Sequence, residues 1–373
     1  MNILFYFYEL DTPMYHWWRE HVFDELRHYG FNFITFNPAQ YKSPDLANSN
    51  FIQYIHKERM KIDLFFSCVE SKWLYASTVH YVKKKLSIPA ILFTADNLEL
   101  PYKHRDNCSA FDLVWVTSKE TEYLFKKWGC KTIFQPYAAN PYLYKPSYNI
   151  MSIENIGKVG FIGSPYGSRV NKLNFLLQNS IPCRVYSDSL FNKGYNSSLN
   201  GKKKIDIFDT TVKFIRYLRF PIGRKVLYST ILNKINEGSK LAYDSPFLEK
   251  EHSISQPEMC DLYSRFKLSL NISELRDTYI LKKPIHKIHL RTFEIPMCGG
   301  LQITSYTDEV SSYFREDKEI VFYSSPEELI DKCIFYLDNK NENLVRQMKK
   351  AAFERASKEH TWYNRFTKIL QAL

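Results

Sequence analysis

The stretch Lys158-Val159-Gly160-Phe161-Ile162-Gly163-Ser164-Pro165-Tyr166-Gly167-Ser168-Arg169 decides the fold. Its first five residues read as a strand, its small residues as a turn, and residues 169–178 as a helix, with a further strand at 183–186. This restarts, in mid-chain, a rhythm that has already run once from the N-terminus. There, residues 3–8 read as a strand, 14–29 as a helix stopped by Gly30, and 31–36 as the next strand. The alternation continues through strand 63–68, helix 72–86, strands 90–94 and 113–117, helix 119–128 and strand 132–135. Two such rounds imply two α/β domains, each a mostly parallel sheet with helices on its faces. The length agrees, since 373 residues exceed what one hydrophobic core organises.

Between the rounds, residues 137–157 carry Pro141, Pro146 and several Asn and Ser without periodicity, which marks a linker. The expected domains are therefore 1–145 and 155–345, with a long helix ending the chain. Residues 194–250 interrupt the second round with a basic and aromatic segment, read as an insertion, before the rhythm resumes at 268–272. The last part adds a helix start at 291–297, a strand at 301–304, a helix at 326–337 and the terminal helix over 343–373.

Composition excludes several classes. Hydrophobic residues at 45% and aromatics at 16% are too many for a disordered chain. The net charge of +11 fits either a compositionally biased genome or a local basic patch, and residues 201–240 hold ten Lys or Arg against three acids. Seven cysteines lie at least twenty residues apart with no C-x-x-C, and read as reduced and buried. The chain starts directly on a strand-like run and has no stretch of eighteen apolar residues, so a cytoplasmic protein without a membrane span is expected.

In open α/β sheets ligands bind beyond the carboxyl ends of the strands, so the loops there are the places to look. Glu9 to Pro13 with His16 follow the first strand, and Asp96-Asn97 follow the fourth. Asp96 is placed to act as a general base; Asp11 is either a second base candidate or a helix N-cap before Thr12-Pro13. Gly163 and Ser164, leading to Arg169 at a helix start, form either an ordinary glycine turn or an anion-holding one, with backbone amides and a guanidinium for a phosphate. The densest constellation runs His286-Lys287-Ile288-His289-Leu290-Arg291-Thr292-Phe293-Glu294-Ile295-Pro296-Met297-Cys298-Gly299-Gly300. Arg291 and Glu294 share a helical face, suited to a diphosphate and a ribose, or to a salt bridge with each other. His286 and His289 lack the carboxylates or cysteines of a metal site, and no Asp-x-Asp is present, so neither a metal nor another cofactor is expected. Hydrolase signatures such as Gly-x-Ser-x-Gly and His-Glu-x-x-His are missing.

The run Arg291-Thr292-Phe293-Glu294-Ile295 with Cys298-Gly299-Gly300, then residues 323–329, then His360-Thr361-Trp362 and Arg365, resembles the spore-maturation CgeB-like glycosyltransferases. Upstream, Phe161-Ile162-Gly163-Ser164 with Arg169, and Leu270-Asn271-Ile272, stand where that family has similar motifs, so the resemblance covers about residues 155–370. It implies a GT-B fold: two Rossmann-like domains facing a cleft, the donor nucleotide held by the second, and a C-terminal helix, about 346–373, packing back toward the first. It further implies that Glu294 binds the donor ribose, that Arg169, Arg291, Gly299 and Gly300 lie near the diphosphate, and that Asn271 lines the same cleft. One departure is His286, which stands eight positions before Glu294 where related retaining enzymes carry a Glu.

The expected function is metal-independent transfer of a sugar from a nucleotide-sugar to a glycan, lipid-linked or other cell-surface acceptor in polysaccharide biosynthesis. Asp96 or Asp11 would deprotonate the acceptor while Arg169 and Arg291 stabilise the departing diphosphate. For the insertion, Lys202-Lys203-Lys204 and residues 214–220 suit peripheral membrane docking or a solvated basic subdomain. Alternatives for the whole chain are a nucleic-acid-binding protein using that patch, or a catalytically silent nucleotide-sugar-binding scaffold.

Overall fold

A computed structural model describes residues 1–10, 16–57, 61–191, 207–236 and 240–373. The chain divides into two compact units, residues 1–143 with 360–373, and residues 144–359. Each is built on one six-stranded sheet in which every neighbouring pair is parallel.

In the N-terminal unit the strands are β1 (Asn2–Tyr6), β2 (Asn32–Phe36), β3 (Leu64–Ser67), β4 (Ala90–Thr94), β5 (Leu113–Val116) and β6 (Thr132–Phe134), ordered β2-β1-β3-β4-β5-β6. The run read as one helix before Gly30 is a π turn, Trp18–Phe23, leading into the single α turn α1, Asp24–Arg27. Helix α2 (Pro44–Lys57) had no counterpart in the sequence reading; it buries Ala47, Asn48, Phe51 and Ile55, a face mixed enough to blur the periodicity. Helices α3 (Ala76–Leu86) and α4 (Glu122–Lys127) follow β3 and β5. The core is aromatic: Phe5, Phe66, Phe93 and Trp115 are fully buried, with Phe93 and Trp115 edge to face at 4.7 Å.

The C-terminal unit contains β7 (Ile156–Ile162), β8 (Cys183–Tyr186), β9 (Leu248–Glu251), β10 (Phe266–Asn271), β11 (Gln302–Ser305) and β12 (Val321–Tyr323), ordered β12-β11-β10-β7-β8-β9. The order reverses between β7 and β10, which makes the gap between their carboxyl ends the natural ligand crevice of this sheet. Helix α5 (Ser168–Gln178) buries Val170, Leu173, Leu176 and Leu177, an i, i+3, i+6, i+7 stripe that seats it on the sheet. Helices α6 (Ile207–Leu218) and α7 (Pro221–Ile235) lie in the segment read as an insertion, and that segment is the crossover from β8 to its parallel neighbour β9. β9 itself reads Leu-Glu-Lys-Glu, an edge strand whose charges hide it from hydropathy. Lys202, Lys203 and Lys204 lie outside the described residues. Helices α8 (Gln256–Arg265), α9 (Arg291–Met297) and α10 (Pro326–Leu337) complete the layers.

The terminal helix expected over 343–373 is two helices, α11 (Glu342–Glu359) and α12 (Trp362–Gln371). The break is chemical: Thr361 is extended and its hydroxyl accepts from Asn364 N, starting a new helix. α11 stays with the C-terminal unit, while α12 belongs to the N-terminal one. There Trp362 and Phe366 are buried, Phe366 packing on Phe66 at 5.5 Å and Trp115 at 5.6 Å. Arg365 donates to Tyr137 O, and His360 O accepts from Ala139 N. Glu25 accepts from Tyr363 N at 2.6 Å, yet burial pushes its carboxyl up to about 7 against those hydrogen bonds.

Two predictions follow from packing and charge. A Cβ on Gly160 would collide with the buried ring of Phe266, whereas one on Gly157 meets nothing within 4 Å. Gly160→Ala should cost about 1–3 kcal/mol in denaturant unfolding and Gly157→Ala far less. Because Glu25 holds its proton to about 7 in the native state but ionises near 4.5 unfolded, its contribution is present at low pH and is lost as pH rises through that window. The loss is on the order of 3 kcal/mol, and Tm against pH should flatten between those values in Glu25→Gln.

Candidate functional site

The carboxyl end of β7 opens into the loop 163–167, and two arginines converge there. Arg291, the first residue of α9, donates from Nε to Ile162 O at 3.1 Å, and its guanidinium lies 5.7 Å from the Phe161 ring. Arg169, in the first turn of α5, donates to Ser164 O at 3.0 Å and lies 5.9 Å from that same ring and 4.4 Å from the Tyr166 ring. Neither forms an ion pair with an acid among the described residues. Burial, and next the charge of Arg291, lower the pKa of Arg169 to about 10. His289 is forced neutral in the same way, by burial and then by Lys287, Arg291 and Arg169. Gly163 sits at φ +135°, and a Cβ there would collide with Arg291 Nη2, so only glycine lets the loop pass beneath the guanidinium. Two cations held together without a counter-charge, over the N-terminus of an eleven-residue helix, are chemistry for a dianion.

Arg291 and Glu294 do not pair with one another. Glu294 is buried, and its Oε1 accepts from the Tyr144 hydroxyl at 2.8 Å. Burial raises its pKa, opposed by that hydrogen bond and by the charge of Arg291. Tyr144 was invisible to sequence reasoning because it lies in the proline-bearing linker, where no periodicity flags a residue.

A second cluster lies at the carboxyl ends of β10, β11 and β12. Glu274 is buried, ion-paired to Lys172 at 3.2 Å, and accepts from Ser305 Oγ at 3.0 Å, while its Oε2 has no partner. The Tyr323 hydroxyl lies 3.1 Å from Ser305 Oγ, and Lys172 lies 5.2 Å from the Tyr323 ring. His286 forms an isolated antiparallel bridge with Glu274, and its Nδ1 is 2.8 Å from Ser273 Oγ. Burial lowers the pKa of His286, opposed by Glu274 and reinforced by Lys172. The backbone joins the two clusters, since Ser168 Oγ donates to Glu274 O at 2.9 Å one residue before Arg169. Glu274 was missed, although a carboxylate three residues beyond a strand at the reversal of strand order is the signal that would have found it.

Other expected residues are placed differently. Asn271 lies beneath the surface, its Nδ2 donating to Thr292 Oγ1 and Gln302 Oε1, which braces β10 against α9 and β11, while its Oδ1 has no partner. Gly299 and Gly300 follow the C-terminus of α9, the end that repels anions, and are buried against Pro146, Ile150 and Tyr263 O. A Cβ at either would meet those neighbours, so both serve close packing. Asp96, in the N-terminal unit, is exposed at φ +54° just beyond β4, within 3.4 Å of the Tyr137 hydroxyl. Its neighbour Asn97 is the buried brace of that loop, bonded to Thr117, Ser118 and Thr121. Asp11 lies outside the described residues. Among the described residues no three His, Cys, Asp or Glu side chains converge as metal ligands.

Residues 233–371 match the model of a glycosyl transferase-like family. Anabaena HepE in complex with UDP and glucose is similar over 99% of both chains, with TM-score 0.57 at 12% identity. The sucrose-phosphate synthase of Thermosynechococcus elongatus is similar over 100% of this chain and 98% of its own, at 0.55 and 12%. The fold is GT-B. A glycosyltransferase from Rickettsia africae shares it at TM-score 0.54 and 11% identity, over 99% of this chain and 97% of its own. No curated protein sequence matches the chain. Within this GT-B fold the paired arginines occupy the crevice of the C-terminal sheet.

Removing the Tyr144 hydroxyl leaves a buried carboxylate without its donor. Tyr144→Phe should therefore cost about 1–3 kcal/mol of stability at neutral pH, read by urea unfolding, and Glu294→Gln in the same background should recover part of it.

Proposed function

We propose that the chain is a glycosyltransferase of the CgeB-like kind, taking its sugar from a nucleoside diphosphate sugar. The observation that carries this reading is the convergence of Arg169 and Arg291 on the 163–167 loop, neither ion-paired with an acid among the described residues. A diphosphate neutralises both at once. In glycosyl transfer that same diphosphate is the leaving group, and cations already in position stabilise the charge it gains as the glycosidic bond breaks. The reaction needs no metal in this reading, because the arginines supply the charge a divalent ion would. The family match over 233–371 and the GT-B fold support the reaction class, and UDP in the HepE complex supports a nucleotide-sugar donor.

Glu294 is the ribose acceptor in this proposal, Tyr144 holding one carboxylate oxygen. Glu274 takes a hydroxyl of the transferred sugar on Oε2, the carboxylate oxygen that the fold leaves unpartnered. It thereby stands in for the carboxylate that His286 does not provide. Asp96 is the described candidate for the base that deprotonates the acceptor, a hydroxyl of a glycan or lipid-linked molecule in polysaccharide assembly.

Thermal unfolding with UDP, GDP, CMP and dTDP tests the donor, since ligand at a hundred times its Kd stabilises the native state by about 2.7 kcal/mol. One nucleotide should raise Tm, and Arg169→Ala or Arg291→Ala should abolish the rise. Once the donor sugar is known, Arg291→Ala should lower turnover by about 10²-fold or more. No shift with any nucleotide would turn the reading toward the nucleic-acid or silent-scaffold alternatives.

A further inference from the structure

The β8 to β9 crossover carries a surface whose composition is inverted. Helix α7 turns Gly223, Val226 and Ser229 inward, and Asn233 fixes its rotation by donating to Asp277 Oδ1 at 3.0 Å and accepting from the Tyr279 hydroxyl at 2.8 Å. The opposite pole carries Arg224, Tyr228, Ile231 and Ile235, positions that helical spacing places together. Tyr228 is 58% exposed, Ile231 51% and Ile235 70%. The preceding helix α6 exposes Phe214, Ile215 and Leu218. A solvated helix puts charged residues at its outer pole, whereas here Tyr228, Ile231 and Ile235 take most of it and Arg224, Lys225 and Lys234 are exposed with them. Between residues 207 and 236 the sequence contains Lys213, Arg216, Arg219, Arg224, Lys225 and Lys234 against a single acid, Asp209.

We propose that this face of α6 and α7 docks on the surface of an anionic lipid bilayer. The exposed Arg216, Arg219, Arg224, Lys225 and Lys234 complement anionic headgroups, and the exposed apolar side chains enter the headgroup–acyl boundary. No helix among the described residues is long and apolar enough to cross a membrane, so the contact is interfacial. Nucleic acid fits less well, because four of the six outward apolar residues are aliphatic and have no ring to stack on a base. A second copy of the chain fits less well still, since joining like faces brings cations against cations. The inference does not rest on glycosyl transfer.

Flotation of the full chain with vesicles tests it. Phosphatidylcholine vesicles containing phosphatidylglycerol should carry the protein up, vesicles of phosphatidylcholine alone should not, and raised NaCl should weaken binding. The double variant Ile231→Asp, Ile235→Asp should reduce partition about tenfold or more, and Arg216→Glu with Arg219→Glu should remove the preference for anionic vesicles. Both variants change exposed positions, and an unaltered Tm confirms their folding. Failure of the parent chain to float, or equal flotation of parent and folded variants, overturns the proposal. So does binding to a single-stranded oligonucleotide lost in the same variants without vesicle binding, or a concentration-dependent dimer that Ile231→Asp dissolves. Nucleotide stabilisation in the double variant should match the parent, so failure at the lipid surface is separable from failure of the donor site.

Discussion

Two guanidiniums that repel each other are held side by side, and much of the C-terminal unit is arranged to keep them there. Arg291 is anchored on Ile162 O and Arg169 on Ser164 O, both against Phe161, so neither can swing away toward water without giving up a hydrogen bond and a ring contact. Gly163 has no side chain because the space is taken by Arg291. Like charges held this close repel one another, a cost that an anion between them offsets.

The other buried charges follow the same logic with different solutions. Glu274 has an internal cation, Lys172, and still keeps one oxygen unsatisfied. Glu294 borrows a neutral donor, Tyr144, and its raised pKa records that a hydroxyl compensates burial only in part. Lys349, on α11, is buried without an acid, bonded to Asn155 Oδ1 and Ser264 O, and burial lowers its pKa to about 7. Carbonyl and amide oxygens thus take the place of a bonded counter-ion at Lys349.

What the sequence made legible was the alternation of strands and helices and the loops that end the strands. Strands β5 and β4 stand where hydropathy puts them, since both are apolar runs buried on two faces. Strand β9 was hidden by its charges, and the crossover before it looked like an insertion because two helices occupy a space usually filled by one. At the site, Arg169, Arg291 and Glu294 could be named because charge beside a glycine turn is conspicuous. Their true neighbours Tyr144 and Glu274 could not, since one comes from an aperiodic linker and the other from a long loop brought close only by folding. Gly299, Gly300 and Asn271 touch neighbours that the sequence does not reveal, because those contacts come from elements distant along the chain.

The N-terminal unit is completed by the last residues of the chain. Trp362 and Phe366 cover Phe66 and Trp115, and Glu25 receives the amide of Tyr363. The C-terminal unit, by contrast, is one unbroken segment, 144–359. During synthesis, the half that emerges first from the ribosome must wait with its core open while the second half can fold as soon as it has cleared the exit tunnel. Between the synthesis of residue 143 and that of residue 360, the nascent N-terminal unit thus lacks the helix that covers its aromatic core.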